Sequence, residues 1–220
     1  MRCVVTAGPT FEPLDRVRRL TNFSTGRLGA ELAAHLARAG HEVILLRGES
    51  ATWPAPAIAS VRVEPFTTTS CLGEHLQAFV GTGVDAVFHA AAVSDFAFGP
   101  VWRREPDGRL TEVRAGKLST RAGALLAELV PTPKLLARLR GWFPRAWLVG
   151  WKYEVDGDRA SALVASAEQL AQTGTDLCVV NGPAYGEGFG LLARGAAPRH
   201  CEDQEALFVA LAAGLRERAA

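Results

Sequence analysis

Short apolar runs alternate with amphipathic stretches along the whole chain. The runs have the length of buried β-strands, and the stretches between them repeat apolar residues at the spacing of one helical face. This alternation predicts an α/β fold, a Rossmann-like parallel sheet with helices on both faces. The predicted strands are residues 3–6, 42–46, 85–89, 146–150 and 176–180, and the predicted helices are residues 27–39, 70–80, 133–142, 158–172 and 202–218.

Two segments break this alternation. Residues 97–123 contain glycine, proline and charged residues with only short alternating pieces, which predicts a β-flap excursion instead of another crossover unit. Residues 189–193 follow the last predicted parallel strand and predict an antiparallel strand at the sheet edge. No internal repeat or low-complexity linker separates the parts, so we expect residues 1–220 to form a single domain.

The charge of the chain is almost balanced. Its 24 Lys+Arg and 23 Asp+Glu give a net charge of +1, which favours neither nucleic acid nor an anionic membrane as a partner. The four cysteines form no CxxC pair, and the N-terminus shows no leader pattern. No apolar segment approaches the roughly 18–20 residues that a membrane span needs. We therefore expect a cytoplasmic protein.

The loop after the first predicted strand is the first candidate site. It is long, and Gly26 and Gly29 flank the start of the helix at residues 27–39. Free backbone N–H groups and the positive end of a helix favour an anion there, and Ser24 and Thr25 add hydroxyl donors. Two alternatives stay open: one of these hydroxyl residues is a plain N-cap, or Gly29 only allows close packing of helix on sheet.

Other candidate residues follow later strands or lie in the flap. Asp95 comes after three alanines at residues 90–92, which would let a ligand lie against the backbone. Lys117 lies in the flap, where a lysine can close over phosphates. Trp151 can stack on a base, and the Asn181 amide both donates and accepts. The alternatives are turn residues for Asp and Asn, a solvated lysine and a core tryptophan.

Several catalytic motifs are missing. The sequence has no G-x-G-x-x-G fingerprint, no P-loop and no G-x-S-x-G elbow, which argues against an ordinary NAD-dependent dehydrogenase and a serine hydrolase. Neither tyrosine has a lysine four residues later, so a short-chain reductase has little support. The five histidines show no ligand spacing, and only His89 lies near the predicted site, so we expect no protein-bound metal.

The loops also form an ordered set of motifs. The set comprises VTAGPTFEPLDRVR at residues 5–18, NFSTGRLG at 22–29, AAAVSDF at 90–96, Lys117, and residues 131–136, 151–154 and 176–181. Together these motifs resemble phosphopantothenoylcysteine synthetase, the ligase that joins phosphopantothenate to cysteine in coenzyme A biosynthesis. The resemblance extends over residues 4–193. The flavin-dependent decarboxylase domain of many bacterial members is not among the 220 residues, so the resemblance implies the stand-alone form.

The resemblance implies a two-step ligation. A nucleoside triphosphate activates the carboxylate of phosphopantothenate as an acyl-nucleotide, and the amine of cysteine then displaces the nucleoside monophosphate. Such chemistry needs cations, Mg²⁺ and positioning more than a protein nucleophile, which agrees with the missing motifs. Bacterial members generally use CTP and eukaryotic members ATP; the motifs point both ways, and we prefer CTP. The family is dimeric, so a homodimer with sites shared between subunits is expected.

The resemblance also assigns roles to residues. On the nucleotide side, Gly8, Ser24, Gly26 and Gly29 would cradle the triphosphate, and Trp151 and Asn181 would contact the base or sugar. On the substrate side, Asn22 would hold the acyl group and its intermediate, Ala91, Ala92 and Asp95 would line the pantothenate, and Arg18 would reach its phosphate from the neighbouring subunit. Lys117 would close on the phosphates, so Asn22 and Lys117 are the predicted catalytic residues.

Three features depart from the family pattern. Trp151 stands where phenylalanine is expected, Gly182 follows Asn181 where aspartate is common, and the flap has the single Lys117 where many bacterial members have several lysines. A non-catalytic nucleotide- or flavin-binding module on the same fold is therefore kept as the alternative function. Such a module would need the cradle but neither Lys117 nor Asn22.

Overall fold

One eight-stranded sheet dominates the computed structural model, which describes residues 1–119, 121 and 123–219. In chain order the strands are β1 (Arg2–Ala7), β2 (Phe11–Pro13), β3 (Arg19–Thr21), β4 (Glu42–Gly48), β5 (Val61–Phe66), β6 (Ala86–His89), β7 (Phe96–Arg104), β8 (Leu110–Glu112), β9 (Leu125–Pro131), β10 (Trp147–Tyr153), β11 (Leu177–Asn181), β12 (Phe189–Ala193) and β13 (Arg199–Cys201). The helices are α1 (Arg27–Arg38), α2 (Thr69–Ala78), α3 (Leu135–Trp142), α4 (Arg159–Thr173) and α5 (Gln204–Ala219).

The strand order of the sheet is β13-β12-β11-β10-β6-β1-β4-β5. The six strands from β11 to β5 are parallel, and β12 and β13 are antiparallel. From β1 the chain moves outward through β4 to β5 and then returns to β6 on the other side of β1. This confirms the predicted Rossmann-like α/β fold and places its switch point, where ligands of such sheets bind, between β1 and β6.

Apolar clusters cover both faces of the sheet. On one face α1 and α5 pack against the strands, and Leu36 of α1, Phe88 of β6 and Leu211 of α5 are fully buried there. On the other face α2 and α3 pack over Leu72 and Leu148, and α4 covers the same face beyond them. Because successive strand residues point to opposite faces, strands such as β1, β6 and β10 contribute buried residues to both faces. The two faces are called the α1 side and the α3 side below.

All five predicted helices and all five predicted parallel strands are present, with ends that differ by at most a few residues. The sequence analysis missed β5, whose VRVEPF sequence mixes apolar and charged residues, and the short strands β2, β3 and β13. The segment at residues 189–193 is an antiparallel strand as predicted. Its position at the edge was wrong, because β13 pairs outside it.

The predicted flap is a separate three-stranded antiparallel sheet with the order β8-β7-β9. Its boundary at residue 123 was too early, because β9 continues to Pro131 and pairs with β7 down to Phe96. Residues 120 and 122 of the predicted flap lie outside the described residues. No helix within the described ranges has both the length and the apolar character to cross a membrane.

Candidate functional site

The loops after β1 and β6 interlock at the switch point. Ala92 N donates to Gly8 O at 3.0 Å, and Thr10 N donates to Ala92 O at 3.2 Å. The side chain of Asn22, which follows β3, is exposed, and its Nδ2 donates to the same Ala92 O at 3.0 Å. The fold therefore brings together three residues that the sequence had connected only through a resemblance: Gly8, Asn22 and Ala92.

The glycines at the start of α1 lie in close backbone contact with β1 and its loop. Gly8 and Gly26 have φ values of 84° and 78°, in the left-handed region that favours glycine. A Cβ on either would lie within 3.0 Å of the Ala51 Cβ. A Cβ on Gly29 would lie 2.6 Å from the Ala7 Cβ, so close helix–sheet packing, one of the two interpretations of Gly29, is present.

Neither hydroxyl residue caps α1. The N-cap is Gly26, without a side-chain hydrogen bond, so the alternative of Ser24 or Thr25 as a plain N-cap is not realised. Thr25 Oγ1 accepts instead from Arg27 N at 3.3 Å, and Ser24 is half-buried beside it. The helix start therefore offers backbone N–H groups and two nearby hydroxyls to a ligand.

A cleft of about 420 Å³ opens at the carboxyl edge on the α3 side. Its lining comes from the loop after β6, the turn before α3, the end of β10 and one face of α4. Ala91, Asp95 and Trp151 are among the lining residues. The cleft therefore joins residues predicted for the substrate with one predicted for the nucleotide.

Lysines that the sequence analysis did not single out line this cleft. Only three of the 24 basic residues are lysines, and Lys134 and Lys152 both lie here. Lys134 Nζ pairs with the Asp95 carboxylate across the cleft, and Lys152 Nζ lies 2.9 Å from Glu154 Oε1. The rarity of lysine was the signal that could have found them.

His89 is a further residue that the sequence analysis left without a role. It ends β6, is only 5 % exposed and lines the cleft. Its Nδ1 lies 3.0 Å from Thr6 Oγ1 on the adjacent strand, and Ala91 N donates to that hydroxyl at 3.0 Å. Burial lowers the pKa of the His89 ring to about 4, so the ring is neutral at pH 7.

Trp151 reaches both sides of the sheet. Its side chain packs with the apolar cluster of the α1 side, so the core-packing alternative holds for the ring. Its carbonyl oxygen accepts from Gln169 Nε2 at 3.3 Å on the α3 side. The buried indole Nε1 has no hydrogen-bond partner among the described residues, which leaves a donor for a ligand on the α1 side.

Asn181 lies at the end of β11, next to the end of β10. Its carbonyl oxygen accepts from Glu154 N at 3.0 Å, and its side chain is half-buried. Gly182 has a φ of 113°, and a Cβ there would lie 2.4 Å from Glu154 O. This contact explains the departure at Gly182, because the loop leaves no room for the aspartate that is common in the family.

The flap is anchored beside Lys117 by the turn between β2 and β3. The Asp15 carboxylate, whose side chain is 1 % exposed, accepts from Leu118 N at 3.0 Å and from Arg18 Nη2 at 2.6 Å. Arg18 Nη2 also donates to Leu118 O, and Arg16 N donates to Gly116 O. The Leu118 amide, with further backbone and Arg18 donors, holds the pKa of Asp15 far below its usual value.

This anchoring fixes the backbone on both sides of Lys117, while the Lys117 side chain itself is exposed. Arg18 is predicted to reach a phosphate in the neighbouring subunit. In this structure its guanidinium donates hydrogen bonds to the Asp15 carboxylate and to Leu118 O of its own chain. No group of three or more His, Cys, Asp or Glu that could hold a metal ion occurs among residues 1–119, 121 and 123–219.

An α/β protein with interlocked loops at the switch point and a polar cleft beside them has the architecture of a small-ligand enzyme or binding protein. Residues 1–194 match the DNA/pantothenate metabolism flavoprotein C-terminal domain family, so the chain belongs to this family. This membership confirms the resemblance inferred from the loop motifs.

One individual relative supports this family membership. The coenzyme A biosynthesis bifunctional protein CoaBC of Thermococcus kodakarensis is 32% identical over 180 residues, which cover 82% of this chain and 41% of that protein. The chain thus spans about two fifths of the length of that relative.

Two solved structures share the fold. The DNA/pantothenate metabolism flavoprotein from Streptococcus pneumoniae superposes with a TM-score of 0.86 at 24% identity and 99% coverage of both chains. A Cab2 mutant in complex with phosphopantothenate-cysteine superposes with a TM-score of 0.71 at 20% identity, covering 99% of this chain and 88% of that one.

Proposed function

We propose that the chain is a phosphopantothenate–cysteine ligase of coenzyme A biosynthesis that works through an acyl-nucleotide. The family and the CoaBC relative support the pathway. The observation that carries the proposal is the bond from Asn22 Nδ2 to Ala92 O. It places an exposed amide between the glycine-rich start of α1 and the cleft, where an activated carboxylate and a nucleotide would have to meet.

The reaction has two steps. A carboxylate oxygen of phosphopantothenate attacks the α-phosphorus of the nucleotide, the bond to the β-phosphate oxygen breaks, and pyrophosphate leaves. The amine nitrogen of cysteine then attacks the acyl carbon, loses a proton, and expels the nucleoside monophosphate. Both steps shift charge between oxygens, so donors and cations that are already in place lower the barrier.

The residues divide between these tasks as follows. The start of α1, with Gly8, Ser24, Gly26 and Gly29, would hold the triphosphate. Asn22 would orient the acyl group by its amide, and Lys117 would neutralise phosphate charge from the anchored flap. Ala91, Ala92 and Asp95 would line the pantothenate. Arg18 would reach its phosphate in the neighbouring subunit through Nη1, because the bonds to Asp15 and Leu118 use Nε and Nη2. Trp151, which lines the cleft, and Asn181 would contact the nucleotide.

Mg²⁺ would arrive with the triphosphate. Magnesium in such sites keeps several waters and binds mainly through substrate phosphates with one or two carboxylates. The described residues, which hold no cluster of three metal-ligating side chains, fit that mode and not a protein cage. When bound, the ion would neutralise charge on the phosphate oxygens. CTP is the proposed nucleotide, with ATP the second candidate.

A homodimer with shared sites is part of the proposal. Three large apolar side chains of the flap are about half exposed: Phe96, Leu110 and Leu129. Exposed apolar side chains of this size on a separate sheet are typical of a surface that a partner covers. A monomer by light scattering at micromolar concentration would contradict this part of the proposal.

Product analysis tests the ligase. The purified protein is incubated with phosphopantothenate, cysteine, Mg²⁺ and equal CTP and ATP, and the nucleotides are separated. We expect CMP, formed only when phosphopantothenate is present; AMP instead would correct the base and keep the ligase. Nucleotide binding without either monophosphate would overturn the ligase in favour of the non-catalytic nucleotide- or flavin-binding module.

A further inference from the structure

His89 is a buried polar group at the cleft to which the ligation described above gives no task. Val87, two residues earlier on β6, belongs to the apolar cluster of the α3 side. Alternation along the strand therefore places the His89 side chain on the α3 side as well. The ring is 5 % exposed and lines the cleft. A buried polar side chain needs partners, and only Nδ1 of its two nitrogens has one among the residues that the structure describes.

The hydrogen bonds around Thr6 decide where the ring carries its proton. Ala91 N–H can only donate, so Thr6 Oγ1 accepts from it at 3.0 Å. The Thr6 hydroxyl is fully buried, and the acceptor within reach of its hydrogen is His89 Nδ1 at 3.0 Å. A neutral imidazole that accepts at Nδ1 carries its hydrogen on Nε2. Burial lowers the pKa of the ring to about 4, which keeps it neutral near pH 7.

Nε2–H is therefore a donor without a recorded acceptor in the described part of the chain. Nδ1 faces Thr6 in the sheet, so Nε2 points away from it. The cleft is lined by apolar side chains, among them Val93, Leu135 and Leu136, and by polar ones, among them Thr132 and Gln169. The lysines of the cleft face carboxylates. A neutral donor suits an uncharged ring with an acceptor atom better than a phosphate, which prefers cations.

We propose that the nucleobase of the triphosphate enters this cleft and that His89 Nε2–H donates a hydrogen bond to a ring nitrogen or carbonyl oxygen of the base. The inference rests on the proposed function and adds a base-binding residue to it. The Thr6 hydroxyl fixes the ring for this task, and Ala91 N–H fixes the hydroxyl. His89 contributes binding and no proton transfer, because a ring with such a low pKa is a weak base.

Two variants separate the donor from the structural role of the ring. His89→Asn places its amide near the position of Nδ1, where it can still accept from Thr6, but does not reach the position of Nε2. His89→Gln extends the amide to that position. The Kd values of CTP and ATP are measured by calorimetry with Mg²⁺ and without phosphopantothenate, and thermal unfolding of each variant without ligand checks the fold.

We expect His89→Asn to weaken the more tightly bound nucleotide about tenfold, since a net hydrogen bond contributes about 1–1.5 kcal/mol. His89→Gln should stay within about threefold of the wild type. In turnover the loss should appear in the KM for the nucleotide, because the bond acts equally in ground and transition states. A wild-type Kd in His89→Asn, or equal losses in both variants, would overturn the inference.

A measurement on the wild type covers the case in which a variant fails to fold. In ¹⁵N-histidine NMR, the His89 Nε2 resonance should shift when CTP or ATP is added and stay in place with phosphopantothenate alone. An unmoved resonance with nucleotide bound overturns the inference but leaves the ligase intact. If the wild type binds neither nucleotide, the proposed function fails and the base-binding role fails with it.

Discussion

The two sides of the sheet's carboxyl edge differ in what fills the space beside β1 and β6. On the α1 side, the spaces beside Gly8, Gly26 and Gly29 are filled by atoms of neighbouring residues. On the α3 side, a cleft of about 420 Å³ is lined by a buried histidine, two lysines and two carboxylates. The glycines at the start of α1 thus serve in part for close packing, whereas the open, polar volume lies on the α3 side.

The largest effect should come from the two predicted catalytic residues, Asn22 beside Ala92 and Lys117 in the flap. Asn22→Ala and Lys117→Ala should fold normally and lose about 100-fold or more in kcat, the loss seen when one positioned donor is removed from a transition state. Monophosphate release measures the loss. Arg114, an exposed cation of the same flap paired with Glu112, is the matched control.

Arg114→Ala should keep wild-type turnover. If it loses as much activity as Lys117→Ala, the flap acts through its general charge and Lys117 has no special place. Wild-type kcat in Asn22→Ala would remove Asn22 from the catalytic residues.

The buried histidine of the α3 side should make stability depend on pH. The pKa of His89 falls from 6.5 to about 4 on folding, so the unfolded chain binds more protons between these values. Stability should therefore rise with pH across this window, by about 3 kcal/mol from this group. Urea unfolding at pH 4.5 and 7 measures the difference, which His89→Asn should reduce. Burial also lowers the pKa of His41, which contributes in the same sense and should remain in the variant.

Asp15 acts in a lower window and does not confuse this result. Its pKa is lowered in the folded protein, so its contribution is present above the unfolded value near 3.8 and is lost as the pH falls further. An unchanged slope between pH 4.5 and 7 in His89→Asn would show that the ring is not buried as described.

Replacing Gly29 on the α1 side should lower the free energy of unfolding. Gly29→Ala places a Cβ 2.6 Å from the Ala7 Cβ and 2.9 Å from Thr6 O, an overpacking that costs about 1–3 kcal/mol. Gly141→Ala is the matched control: Gly141 lies in helix α3 with no atom near its missing Cβ, and alanine there should stabilise by up to about 1 kcal/mol. Equal unfolding free energies for the two variants would show that α1 can retreat from β1.

The smallest expected effect is that of Asp15, which positions Lys117 without reaching the cleft. Asp15→Asn should lower kcat about tenfold, because Leu118 N and Arg18 lose a charged acceptor. In Lys117→Ala the same change should have almost no further effect, since residues that act as a unit are not additive. A full tenfold loss in both backgrounds would show that Asp15 acts independently of Lys117.

The sequence predicted the features that follow from the spacing of apolar residues and those that follow from the resemblance to a known family. Apolar runs and helical spacing were sufficient to predict the parallel sheet. Strands such as β1 and β11 are buried on both faces, so their sequences are nearly unbroken runs of apolar residues. The strand β5 was missed because Arg62 and Glu64, which form an ion pair, interrupt its apolar residues.

The sequence was sufficient to predict single residues of the candidate site, but it did not show which of them lie in contact. Asn22 and Ala92 are 70 positions apart, and no local pattern shows that the Asn22 amide donates to the Ala92 carbonyl. In the sequence, His89 is the only histidine near the predicted site. Its proposed role in binding the base depends on the burial of the ring and on its contact with the Thr6 hydroxyl. Both exist only once β1 and β6 pair.

A crystal structure of the wild-type protein with CTP or ATP bound would show where the base lies. We expect the base in the cleft of the α3 side, with an acceptor atom within hydrogen-bond distance of His89 Nε2 and the phosphates extending towards Asn22 and the start of α1. A base packed on the α1 side, with the indole Nε1 of Trp151 as its donor and the cleft empty, would contradict this expectation.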